Sequence, residues 1–219
     1  MLLADNYVNR IDFLKYLPRA DCAACGAKSC QEFVACLKRG CKKPADCPGI
    51  SEALYYSFQI ALDADKILPK FPCLTAPRPG PAGLMEINNP DLHSPVLISG
   101  NNVHTQDVLT AIISTTRSPF FLLFTDTRGD TVDMAVIYKT LTSEQVKKGV
   151  LASSVLERVS HQDVIIPGLA AAMRDELEKS TGWNIIVGPI CAAELPLFFG
   201  PSWLSPATCN EIRNVAEPG

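Results

Sequence analysis

Six of the nine cysteines in this 219-residue chain fall between Cys22 and Cys47, and no other feature limits its chemistry so tightly. The stretch reads DCAACGAKSCQEFVACLKRGCKKPADCPG. Cys22 and Cys25 have two residues between them, Cys30 follows closely, and Cys47 lies further along, just before Pro48. A chain kept in a reducing compartment does not use such a cluster as a disulfide framework, so the pattern points to metal. Four thiolates, three close together and one distant, suit a [4Fe–4S] cluster. Gly26 lets the backbone approach the inorganic sulfides, and Pro48 pins the fourth ligand. A zinc site on the same four residues is the competing reading, although such sites are commonly built from two Cys-x₂-Cys pairs and only one is present. Cys36 and Cys41 are competing ligands, or else buried small hydrophobes, as unpaired cysteines often are.

The bulk properties narrow the classes further. A formal charge of −3 gives no basic footprint for nucleic acid. The opening residues turn polar after three positions, which excludes the apolar stretch of a signal peptide, and no run approaches the roughly 18 apolar residues of a membrane helix. The expectation is a cytoplasmic protein that binds neither nucleic acid nor membrane.

Three regions separate along the chain. Residues 1–65 are Cys-rich and mainly helical by pattern: a helix through Val8, Ile11, Phe13 and Leu14 that ends at Pro18, a second after Cys30, and a third after Gly49. Residues 66–92 carry Pro69, Pro72, Pro77, Pro79, Pro81 and Pro90, which exclude helix or central strand and predict a semi-extended linker. In residues 93–219, short apolar runs (PVLIS, PFFLLFTD, DVIIPG, NIIVG) alternate with helical segments, and the last residues from 201 on read as a loose tail. Such alternation predicts an α/β fold with a mostly parallel sheet. Ligands of such folds bind beyond the carboxyl ends of the strands. The loops there are Ser99–Asn102, Thr125–Gly129, Pro167-Gly168 and Gly188-Pro189, each of which serves equally well as a plain turn. The chain has no GxGxxG or P-loop motif and no legible Ser-His-Asp or Cys-His constellation.

Two stretches of the chain resemble a known family. Leu17-Pro18, Cys22, Cys25-Gly26, Cys30, Phe33-Val34 and Cys47-Pro48 are similar to the N-terminal iron–sulfur domain of the large (gamma) subunit of the corrinoid iron–sulfur protein, from the carbon monoxide dehydrogenase/acetyl-CoA synthase pathway. Asn101, Asp126-Thr127-Arg128-Gly129, Ile166-Pro167-Gly168, and Val187-Gly188-Pro189 with Ala192, Pro196 and Phe198 resemble the corrinoid-binding domain that ends the same subunit. The resemblance implies a Rossmann-like domain binding cobalamin through Asn101, Asn102, His104, Thr105, Thr125, Thr127, Gly129, Pro167, Gly168, Gly188, Pro189 and Ala192. It further implies a low-potential [4Fe–4S] cluster that reduces Co(II) to Co(I) for methyl transfer, the cluster domain swinging on its linker. An electron-transfer module, or a reductive activator of another corrinoid protein, is the alternative. The family's TIM barrel is missing. A methyltransferase, another protein or a second copy would then cover the exposed corrinoid face, with an electron donor such as ferredoxin upstream. His104 is either a lower axial cobalt ligand or a solvated or capping residue. Cys191 reads as a buried thiol that could otherwise approach the corrinoid, His93 and His161 as surface residues, and Trp183 and Trp203 as core or partner contacts.

Overall fold

The computed structural model describes residues 3–18, 23–73 and 76–206. Cys22, Cys209 and the end of the chain lie outside the described residues. The apolar runs become four parallel strands, β2 (Val96–Gly100), β3 (Phe120–Thr125), β4 (Asp163–Ile166) and β5 (Asn184–Val187). β1 (Gly83–Ile87) lies within the Pro-rich segment and adds antiparallel to β3 at the sheet edge. Its partly exposed pattern suits an edge position, where the flanking prolines cost no ladder bonds. The strand order is β1-β3-β2-β4-β5, so the parallel order reverses between β2 and β4.

β2 and β3 are buried along their whole length, and their side chains alternate between two apolar clusters. Val96, Ile98, Phe121 and Leu123 face one side. They pack there with residues of α5 (Val132–Ile137), α6 (Ser143–Ser153) and α7 (Arg174–Thr181). Leu97, Phe120, Leu122 and Phe124 face the other, with α4 (Val103–Ile113) and α8 (Leu195–Phe199). This second cluster runs on into the Cys-rich half, through Phe13, Phe33, Ile50 and Phe58. That half is built from α1 (Cys30–Arg39), α2 (Glu52–Leu62) and α3 (Ala64–Ile67). Buried polar ties reinforce the junction: Ser57 Oγ donates to Gly200 O at 3.1 Å, and the Tyr56 hydroxyl donates to Thr115 O.

The continuous helix expected before Pro18 is instead two 3₁₀ turns, Val8–Arg10 and Phe13–Tyr16. Asp12 breaks it, because its side chain accepts from Leu14 N and starts a new turn. The expected tail is anchored over its described part: Trp203 is buried, and its indole N–H donates to Thr115 Oγ1 at 3.2 Å. Trp183 is likewise a core residue.

Candidate functional site

The loops that follow β2, β4 and β5 meet at a cavity of about 360 Å³, at the low end of the usual range for ligand sites. It lies beside the point where the strand order reverses, between the ends of β2 (Leu97, Ile98, Ser99) and β4 (Ile165, Ile166), with Pro167 just beyond. Among the residues expected to bind cofactor, His104, Thr105, Pro167, Gly188, Pro189 and Ala192 line it. The lining also includes Ala4–Tyr7 from the chain's start, Phe71 and Cys73 from the Pro-rich segment, and Asp133 from α5. No local motif marks these residues; they reach the cavity only through long-range packing.

His104 stands in the first turn of α4, but the cap is Asn102, whose Oδ1 accepts from His104 N at 2.9 Å and Thr105 N at 3.3 Å. The imidazole is thus released from capping. Both its nitrogens are shielded from water and lack a hydrogen-bond partner among the described residues. Leaving such groups unmade is costly. The Phe71 ring lies face-on at 3.8 Å between centroids, tilted by 30°. Metal ligation takes place in the plane of an imidazole, so this contact orients the ring while sparing its nitrogens.

Asn101, Asn102, Thr127 and Gly129 do not line the cavity and have other partners. Asn101 Oδ1 accepts from Thr127 N at 2.9 Å, Thr127 Oγ1 at 3.1 Å and Gly129 N at 3.3 Å. Its Nδ2 donates to Gly80 O at 3.0 Å, and Asn102 Nδ2 donates to Gly129 O at 2.6 Å. The two amides tie the Pro-rich segment to the loops after β2 and β3. Gly168 is set by backbone packing, since a Cβ there would come within 2.7 Å of Gly188 O. Thr125 is buried, and its Oγ1 has no partner among the described residues.

The wall formed by the chain's start is held by specific bonds. Ala4 N donates to Phe71 O at 2.9 Å, Asn6 Nδ2 to Pro69 O at 3.1 Å, and Cys191 Sγ to Asn6 O at 3.1 Å. Cys191 is buried, as expected, and burial pushes its thiol up to about 11. The Tyr7 hydroxyl donates to Asp133 Oδ2 at 2.7 Å, and Tyr7 holds a left-handed backbone, φ 57°. Burial and the bond to Asp133 push the Tyr7 phenol up to about 12. Burial also pulls the Asp133 carboxyl upward, but hydrogen bonds from Thr131 and Tyr7 outweigh it and leave it below its usual value. Because the folded phenol binds its proton more tightly than the unfolded one, its contribution is complete below about pH 10 and is lost as pH rises through about 12. Hydrogen exchange of residues 4–8 is therefore expected to accelerate over that window in the native chain. Tyr7→Phe is expected to exchange fast already at neutral pH and to show no such step. A step that survives in the variant would assign it to another group.

Among the cysteines, Cys47 is 5% exposed and belongs to the apolar cluster of the Cys-rich half, and Cys25 and Cys30 pack against that same cluster. Cys30 is the first residue of α1. Gly26 is left-handed at φ 73°, and Lys42 Nζ donates to Cys25 O at 2.6 Å. Among the described residues, no three His, Cys, Asp or Glu side chains stand at the spacing of a single metal ion. The expectation that Cys36 and Cys41 are buried fails: Cys36 is half-buried, Cys41 is exposed, and neither joins the cluster. They end a helix on its outer side. His93 is exposed, while His161 is half-buried, with both ring nitrogens bonded to nearby backbone. Among the described residues, no helix is long and apolar enough to cross a membrane.

The chain is thus an α/β protein whose open five-stranded mixed sheet carries a cavity at the carboxyl ends of its parallel strands, beside the reversal of strand order, where ligands of such folds bind. The chain belongs to the CO dehydrogenase/acetyl-CoA synthase delta subunit family, CdhD, whose model matches residues 69–199. That match covers the sheet and begins after the Cys-rich half. Similar relatives carry the name acetyl-CoA decarbonylase/synthase complex subunit gamma. The protein from Methanopyrus kandleri is 34% identical over 116 residues, 53% of this chain and 25% of the relative. That from Methanocaldococcus jannaschii is 33% identical over 121 residues, 55% of this chain and 25% of the relative. That from Archaeoglobus fulgidus is 30% identical over 121 residues, 55% of this chain and 26% of the relative. The matched part spans about a quarter of these curated relatives.

Proposed function

We propose that this chain is a small corrinoid iron–sulfur protein. It binds cobalamin at the cavity beyond β2, β4 and β5, and it holds a [4Fe–4S] cluster on Cys22, Cys25, Cys30 and Cys47 that supplies electrons to the cobalt. The observation that carries the reading is the His104 imidazole, buried at a cavity of the expected place with neither ring nitrogen hydrogen-bonded among the described residues, in a chain of this family. Imidazole is a good ligand for transition metals, and His104 is the residue that would hold the cobalt. The packing of Cys25, Cys30 and Cys47 on one apolar cluster supports the cluster assignment.

The corrinoid, when bound, supplies a nucleophilic cobalt for methyl transfer. The chain's own groups do the rest. Phe71 orients the imidazole, while Asn101 and Asn102 hold the loops around it. Tyr7 and Asp133 close one wall. Since both His104 nitrogens are shielded, the wall of Ala4–Tyr7 and Phe71 would have to move for a metal to reach them. This wall is built by the chain itself on a side of the cavity that sequence alone leaves bare. A methyltransferase or a second copy covers the remaining face, and a ferredoxin-like donor recharges the cluster.

Anaerobic preparation followed by reconstitution with cobalamin tests the reading. About four irons and one cobalt per chain are expected. Iron without cobalt leaves an electron-transfer module, and zinc in place of iron removes the cluster. In the Co(II) state, EPR is expected to show nitrogen hyperfine splitting that His104→Ala abolishes. A spectrum unchanged by that substitution excludes the axial role.

A further inference from the structure

Cys36 and Cys41 are set against each other by the way α1 ends. Gly40 is left-handed at φ 74°, and its N–H donates to Leu37 O. Cys41 N then donates to Cys36 O at 3.0 Å, five residues back. This pair of bonds is the Schellman closure, which frequently brings the side chains of those two positions together. Helices that end this way frequently set apolar residues against each other there; here both positions are thiols, Cys36 half-buried and Cys41 exposed. Cys41 Sγ lies 3.3 Å from Cys36 O, and Arg39 Nη2 donates to Cys36 Sγ at 3.3 Å. The Cys41 thiol and then the Arg39 guanidinium hold the Cys36 thiol below its ordinary range. The features of a reactive cysteine therefore coincide here: access, a cationic neighbour and a resolving thiol at hand.

We propose that Cys36 and Cys41 form a redox-active surface dithiol, separate from the iron–sulfur ligands, that is oxidised reversibly by low-molecular-weight disulfides. The Cys36 thiolate attacks one sulfur of a disulfide RSSR, and RS⁻ leaves and takes up a proton. The Cys41 sulfur, after losing its proton, attacks Cys36 in the mixed disulfide and expels the second thiolate, which is protonated in turn. Two protein thiols and one RSSR thus become one protein disulfide and two RSH, the two electrons passing to the small disulfide.

The test equilibrates the full-length, iron-loaded chain under anaerobic conditions with glutathione at graded oxidised-to-reduced ratios. Acid quenching, alkylation and peptide mass mapping follow, with iron assayed in parallel. The expected result is a Cys36–Cys41 cross-link whose fraction rises from near zero to near complete with the ratio, reverses on adding reduced thiol, and leaves iron unchanged. Cys41→Ser is expected to stop at the mixed disulfide on Cys36, and Cys36→Ser to show no cross-link. Two thiols that stay open to alkylation at every ratio would overturn the proposal. So would loss of iron in step with oxidation, or a cross-link that joins Cys25 or Cys30 instead.

Discussion

Replacing Cys47 with alanine is expected to strip the iron from anaerobically prepared protein, from about four atoms per chain to near none, together with its visible absorption. Cys47 follows a short 3₁₀ turn, Pro44–Asp46, and is flanked by Pro48, so its backbone has little freedom. It sits in the apolar cluster with Phe33 and Ile50, where a spare thiol cannot readily take its place. The packing loss from Cys to Ala is small by comparison, so a large drop in stability of the Cys-rich half would report the lost cluster, because metal binding and folding are coupled. Cys36→Ala and Cys41→Ala serve as contrasts and should retain full iron, since neither thiol joins the apolar cluster that holds Cys47. Full iron in Cys47→Ala would remove it from the ligand set.

The second large effect is on stability, and it needs no cofactor. Gly129 has φ 82°, and a Cβ there would lie 2.2 Å from Pro79 N and 2.6 Å from Arg78 C. Those are backbone atoms of the Pro-rich segment and cannot rotate away. Gly129→Ala thus combines strain of about 1–3 kcal/mol at a left-handed position with an overpacking cost of similar size. The segment would have to lift, breaking the bonds from Arg78 N and Asn102 Nδ2 to Gly129 O. A loss of roughly 3 kcal/mol or more is expected, or about 6–12 °C in melting temperature for a chain of this size. Gly149→Ala makes the same chemical change in α6, where the nearest atom is Leu123 Cδ2 at an ordinary 3.6 Å. Helix propensity then favours alanine by about 1 kcal/mol, so the sign reverses. Equal melting points for the two variants would refute the close approach of the Pro-rich segment.

The parallel strands were legible because burial on both faces forces continuous apolar runs such as Phe120–Phe124, which local composition reveals. Their order placed four loops at one end, and the cavity lies there. β1 was hidden because an edge strand needs only one bonded side, so Gly83–Ile87 carries a weak pattern amid prolines. Asn101 and Thr127 illustrate a different limit. An amide or hydroxyl in a loop suits a ligand and a neighbouring backbone equally well, and only the fold decides between them. Tyr7 and Phe71 reach the cavity that His104 lines from distant parts of the chain, a proximity no local window contains. The Cys36–Cys41 contact was in principle readable, since Leu-x-x-Gly-Cys after a helical run signals the closure that joins them, but a thiol is easily mistaken for filler.

The edge strand carries a practical consequence for anyone who cuts this molecule in two. A fragment starting at residue 93 would discard β1 and leave Phe120–Thr125, an apolar run without a charge, as a bare template along which copies could stack. Beginning upstream of Phe71 keeps β1 and the ring that rests on His104, but it still strips the sheet of the Cys-rich residues that share its second apolar cluster.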